Sequence, residues 1–151
     1  MVNSFPSILE YLPQSITGGK LPYWLLFISV VSIFNSIQTY QSKDLALTKK
    51  VYESQGKEFH NGTDQVTHLS ARTFGTWTFI TSIVRFYGAY HLNNPQVYQL
   101  VQWTYVVAAG HFLSEWLVYK TCKFGKGIAG PMIVSSISLI WMYLQKDFYL
   151  N

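Results

Sequence analysis

Hydrophobic and polar positions fall into long blocks along this chain rather than short alternations. No Asp, Glu, Lys or Arg occurs from Leu21 to Ser42, 22 consecutive residues built around PYWLLFISVVSIF. At about 1.5 Å per residue such a block crosses a hydrocarbon layer of about 30 Å. Two more uncharged blocks run from Phe86 to Ser114 and from Gly127 to Gln145. Between the first two, LSARTFGTWTFITSIVRFYGAY reads as a further helix carrying Arg72 and Arg85, and Asn93, Asn94 and Pro95 supply the turn that ends it. The pattern predicts an all-α protein, an integral membrane four-helix transmembrane bundle, with helices at about 22–41, 69–92, 95–119 and 128–146. Residues 1–20 read as a short N-terminal interfacial segment and 21–151 as the four-helix membrane domain.

Composition agrees with this division. Charged residues make up 12% of the 151, about half the usual share of a soluble domain, while hydrophobic residues reach 49% and aromatics 17%. Intrinsic disorder is excluded, and so is a disulfide scaffold, because Cys122 is the only cysteine. The first 20 residues lack a basic start and are interrupted by Pro6, Glu10 and Pro13, unlike a cleaved signal peptide. The sequence ends QKDFYLN, neither a KDEL-type address nor a CaaX box.

Short connections orient the bundle. Lys43, Lys49, Lys50 and Lys57 lie in the first, and Lys120, Lys123 and Lys126 in the third, against Lys20 and Lys146 on the other side. Seven basic residues against two put both loops in the cytosol and both termini across the membrane. Within the first loop, residues 45–57 can form a surface helix with Leu45, Leu47, Val51 and Tyr52 on one arc. Asn61-Gly62-Thr63 is a glycosylation sequon, and its use would invert this topology.

Three charges fall inside predicted helices, Arg72, Arg85 and Glu115, each costing about 2.5–3.5 kcal/mol if unpaired at mid-membrane. In the hairpin about residues 93 and 94, positions at equal depth have numbers summing to about 187. This levels Glu115 with Arg72, and Arg85 with Gln102, and predicts a structural ion pair between Arg72 and Glu115. Lys120 competes for Glu115. Thr78, Thr81, Ser82 and Arg85 share one helix face that Gly75 continues, with counterparts in Ser29, Ser32, Ser36 and Thr39, and in His111, Ser114 and Glu115. Such rows let helices approach closely and exchange hydrogen bonds. Arg85, Thr78, Ser82, His111 and Ser114 are therefore expected to form a polar intramembrane seam or a partner contact.

Catalytic chemistry finds little support. The histidines show no H-x-x-H, H-x-x-x-H or H-E-x-x-H spacing, which leaves a zinc or di-iron centre unsupported. His111 and Glu115, four residues apart, suit an acid and base pair of an isomerase, although helix packing accounts for them more simply. Cys122 beside Lys123 fits a lowered thiol pKa without any nucleophile signature. Gly125-Lys126-Gly127-Ile128-Ala129-Gly130 matches G-x-G-x-x-G but follows no strand, and it reads as a tight interfacial turn with Pro131 in the first turn of the last helix. No catalytic residue, metal or cofactor is expected, and no nucleic acid.

The blocks LPYWLLFISVVSIFNSIQTY, THLSARTFGTWTF, RFYGAY, HFLSEW, TCKFGKGIAGP and WMYLQKDFY resemble the ergosterol biosynthetic protein 28 family over about residues 20–150. The resemblance implies a multi-pass endoplasmic reticulum membrane protein that is not an enzyme. Such a protein acts as a scaffold for the sterol C-4 demethylation enzymes: the C-4 methyl sterol oxidase, the sterol-4-carboxylate 3-dehydrogenase and the 3-keto-steroid reductase. The sterol C-24 methyltransferase is a further associated partner. A second reading is a sterol-binding or sterol-passing module with a groove lined by Trp77, Phe79 and Arg85. In the scaffold reading, Lys49, Lys50, Lys120, Lys123 and Lys126 face anionic lipid or partner enzymes, with the bilayer around the helices.

Overall fold

The computed structural model describes residues 7–14, 17–53 and 65–151, and the Asn61 sequon lies outside them. A short 3-10 turn, Ile8–Tyr11, precedes α1 (Leu21–Gln41), α2 (Ala46–Val51), α3 (His68–Tyr90), α4 (Pro95–Leu117), α5 (Lys126–Leu144) and α6 (Lys146–Leu150). The described residues contain no strand. The four long helices are those the hydrophobic blocks predict, within two residues at each end.

Local chemistry fixes their limits. Thr67 and Ser70 cap α3 reciprocally, Ser70 N donating to Thr67 Oγ1 at 3.1 Å and Thr67 N to Ser70 Oγ at 2.8 Å. Asn94 Oδ1 accepts from the amides of Gln96 and Val97, and Pro95 opens α4, so the predicted turn is also a helix cap. α4 stops at Leu117 rather than 119 because the chain folds back on itself. Lys120 takes a positive φ of 59°, and the amides of Thr121 and Cys122 donate to the Glu115 carbonyl. α5 starts at Lys126 rather than 128, which leaves Pro131 inside the helix instead of in its first turn. There the ring removes the bond to the Gly127 carbonyl and crowds that oxygen.

The long helices run alternately up and down. α1 and α3 meet antiparallel, with Gly75 against Thr39 and Ser36 at one end and Gly88 near Leu25 at the other. α4 and α5 are also antiparallel: Tyr98 Oη donates to the Met142 carbonyl at 2.5 Å, and Phe112 shares a cluster with Ile128. Gly88 packs on Val101 and joins α3 to α4. α1 and α5 are bridged by Trp24, whose indole donates to Ser138 Oγ at 2.8 Å and lies 6.3 Å from the Trp141 ring. At this turn end, α6 carries Tyr149 back beneath α1, where its hydroxyl accepts from Leu21 N at 3.1 Å. The connections after α1 and α4 gather at the opposite, loop end.

The hydroxyl rows pack closely but do not bond between helices as expected. Ser29, Ser36, Thr39 and Ser82 each donate to a carbonyl three or four residues back on their own helix. In an apolar setting this local acceptor satisfies the hydroxyl without a partner helix, and the side chain then serves as a small spacer.

Outer faces are apolar along the whole bundle. Phe27, Phe34, Ile80, Leu100, Trp103, Val107, Ile133 and Ile140 are all exposed, far beyond the scattered apolar residues of a soluble surface. α1 and α5 are long and apolar enough to cross a membrane by length and composition, with mean hydropathies of 1.4 and 1.6. α3 and α4 are each 23 residues long but are diluted by Thr, Gln, Gly and Tyr.

Candidate functional site

Two features interrupt the packed interior. The first is a cavity of about 360 Å³ between the four long helices. Its walls are mostly apolar: Ile28 and Val31 from α1, Trp77 from α3, Phe112 from α4 and Val134 from α5. Arg85 lines it on the side of the turn end, and Lys50 and Lys126 line it near the loop end. No Asp or Glu is among the described residues that line it, and the formal charges these carry are all positive.

Arg85 is held firmly. Its side chain is 6% exposed; Nε donates to Thr104 Oγ1 at 3.0 Å, Nη2 reaches the Thr104 carbonyl at 3.4 Å, and the guanidinium lies 4.1 Å from the Tyr105 ring centroid. These contacts use two of its five N–H donors. The expected level partner, Gln102, is displaced by two positions. Thr78 lines the same cavity with its hydroxyl oxygen buried and without a hydrogen-bond partner, while Ser82, one turn further along α3, is fully buried. Trp77 and Arg85 thus line the cavity as the groove reading expects, whereas Phe79 is exposed on the outside.

The second feature is the loop end. His111 Nε2 shares a 2.8 Å hydrogen bond with Tyr52 Oη, and its Nδ1 lies 3.9 Å from Glu115 Oε1. Glu115 also accepts from Thr121 Oγ1. Phe74, Trp77 and Phe112 surround the imidazole and the Tyr52 ring. Gln65 Nε2 donates to the carbonyls of Tyr52 and Thr121, at 2.5 and 3.0 Å, so one side chain ties the first basic loop to the third. Gly127 sits against the Lys50 carbonyl so closely that a Cβ there would collide with it. Lys123 pairs with Glu53 at 4.0 Å. Lys49, Lys50, Lys120, Lys123 and Lys126 are exposed around this end.

Arg72 and Glu115 form no ion pair within 4.0 Å, contrary to the depth argument. The depths agree, because Trp77 meets His111 and Arg85 meets Thr104 at sums of 188 and 189. Azimuth separates them: at about 100° per residue, Arg72 lies on the opposite side of α3 from Trp77, Arg85 and Gly88, and it is exposed. Ser114 donates to its own helix, at the His111 carbonyl, and adds nothing between helices.

Burial also reverses the expectation for Cys122. The thiol is pushed up to about 11, first by burial and then by Glu115, so it is a protonated core group and no poised nucleophile. Burial, reinforced by Cys122 and Glu115, raises the Tyr52 phenol as well, which keeps it a neutral partner for His111. Sequence reasoning placed Tyr52 only on the arc of a surface helix and missed Gln65, Thr104 and Tyr105. Only hairpin depth pointed to the last two, and contacts across a loop leave no periodic trace.

Residues 21–140 match the family described as Erg28 like protein. The chain is 65% identical to ergosterol biosynthetic protein 28 of Candida albicans over 151 residues, the full length of both. It is 58% identical to the Saccharomyces cerevisiae protein of that name over 131 residues, 87% of this chain and 83% of the other. The human homolog is 35% identical over 119 residues, 79% of each chain. No solved structure matches. With the match running through α1, α3, α4 and most of α5, the helices that enclose the cavity and carry the loop end, the chain belongs to the Erg28 family.

Proposed function

We propose that this chain is a non-enzymatic scaffold of sterol biosynthesis that crosses the endoplasmic reticulum membrane four times, through α1, α3, α4 and α5. It tethers the C-4 methyl sterol oxidase, the sterol-4-carboxylate 3-dehydrogenase and the 3-keto-steroid reductase, and associates with the sterol C-24 methyltransferase. The relatives' shared name supports the pathway. The apolar exterior supports the membrane, since α3 and α4 expose Ile80, Leu100, Trp103 and Val107 as fully as α1 and α5 expose their own large side chains. Lysine placement supports a cytosolic loop end.

One observation carries the scaffold reading: the described parts of the two basic loops are fastened into a single surface. Gln65 ties the end of α2 to the third connection, the Tyr52–His111 hydrogen bond ties it to α4, and Gly127 seats Lys50 against α5. A preordered cationic face loses little conformational entropy on docking, unlike two independent linkers. Holding successive enzymes together raises the effective concentration of each intermediate at the next site.

Affinity capture from gently solubilised membranes tests this reading. The intact chain should copurify with the C-4 enzymes, and a Lys50→Glu, Lys123→Glu, Lys126→Glu variant should lose them while remaining in the membrane. Equal capture by both would contradict docking at the loop end. The cavity favours an added role in binding lipid.

A further inference from the structure

We infer that the four-helix cavity binds a membrane lipid with a bulky apolar body and a single carboxylate, which the Arg85 guanidinium receives. Its assignment to carboxylated sterols rests on the sterol-pathway reading. About 360 Å³ falls within the common range of ligand pockets, about 300–1,000 Å³. Lining residues of both α1 and α5 reach the bundle surface, which places a sideways opening between these helices. Trp24 closes that seam at the turn end, and α2 seated on Gly127 closes it at the loop end. Between them Val31 is 39% exposed, and Gly130 faces open space in which an added Cβ would touch nothing.

Charge selects the ligand. Arg85 is 94% buried as a residue, and its guanidinium, with three N–H donors beyond those given to Thr104, is costly to hold there without an anion. None of the described residues lining the cavity is acidic, so the protein leaves the counter-charge to be supplied by what it binds. A carboxylate fits the planar fork through two parallel hydrogen bonds. Arg85 lies five residues inside the end of α3, about 7–8 Å along its axis. A compact carboxylate on a ring body reaches that depth, whereas a phosphodiester with its polar substituent belongs at the interface. The unpartnered Thr78 hydroxyl offers a second polar contact on the same wall.

The test uses the full chain in neutral phospholipid vesicles and a photoactivatable sterol 4-carboxylate, with its methyl ester, an unlabelled neutral sterol and a long-chain fatty acid as comparisons. The acid should label peptides of α3, α4 and α5, and unlabelled acid should compete. Arg85→Gln should cut labelling about tenfold or more, the scale expected when one partner of a buried charge pair is removed, and Arg85→Lys should retain part of it. Gly130→Trp, which obstructs the lateral opening and leaves Arg85 in place, should also abolish labelling, and it serves if Arg85→Gln does not fold. Equal labelling by acid and ester, or unchanged labelling in Gly130→Trp, would overturn the site. Competition by the fatty acid as strong as by the sterol acid would overturn the assignment to sterols. Enzyme capture is measured on the same Arg85→Gln chain. Labelling lost with capture intact is the expected result, whereas labelling present in a wild-type chain that captures no enzyme would overturn the scaffold reading alone.

Discussion

Arg72 and Arg85 sit on the same helix thirteen residues apart, yet one is exposed and the other is 94% buried. The difference is azimuth, which a hairpin's depth arithmetic does not contain. It has a measurable consequence: Arg72→Ala and Glu115→Gln should act additively on stability, within about 0.3–0.5 kcal/mol in a double-mutant cycle. A coupling above about 1 kcal/mol would restore the ion pair between them. Glu115→Gln alone should loosen the third connection through Thr121. Cys122 makes a second prediction, with its sign fixed by the direction of its shift. The fold favours the protonated thiol, so its contribution is present below the ordinary value of 9.0 and is lost as pH rises toward about 11. Over that interval the melting temperature of the wild-type protein should fall more steeply than that of Cys122→Ala, and parallel curves would contradict the shift. Arg85 and Glu115 were legible as residues of interest because a charge within a predicted helix is conspicuous, and His111 because it stands four residues from Glu115. Their partners were not, because Tyr52 and Gln65 reach them from loops.

Among the helices, glycine marks the closest contacts, and the G-x-G-x-x-G run is explained by packing rather than by a nucleotide. Gly127 gives way to the Lys50 carbonyl, whereas Gly130 in the same turn faces open space. Gly127→Ala should therefore destabilise the docked α2 by about 1–3 kcal/mol, as overpacking against backbone does. Gly130→Ala should be neutral or stabilise by up to about 1 kcal/mol from helix propensity. Thermal unfolding of the two variants in the same detergent checks this, and equal effects would contradict the seating of α2 on α5. The order and antiparallel pairing of the four long helices were readable from the blocks of uncharged residues and the Asn94-Pro95 turn, whereas the short α6 was not. The two extra residues at the start of α5 were not readable either, because Gly127 seats against the Lys50 carbonyl of α2, a contact across a loop that sequence rules for a helix start do not contain. The hydroxyl rows were readable as close-packing faces, although their hydrogen bonds stay within each helix.

Seen whole, the molecule is an apolar bundle with a knitted basic end and a cationic cavity open to its side. These parts divide the work proposed for it: the basic end gathers enzymes, and the cavity holds a lipid among them. The four long helices were legible because long blocks poor in charge admit few other structures, although only α1 and α5 are long and apolar enough to cross a membrane by length and composition. The cavity was not, since it arises where α1 and α5 fail to close along their length. The most direct measurement reconstitutes the three purified C-4 enzymes in vesicles, with and without this chain, and follows both single steps and the complete sequence. A scaffold should raise flux through the sequence and reduce the intermediates released, while leaving each step unchanged when its own substrate is saturating. A single step that requires this chain even at saturating substrate, or a sequence flux indifferent to its presence, would contradict the non-enzymatic scaffold.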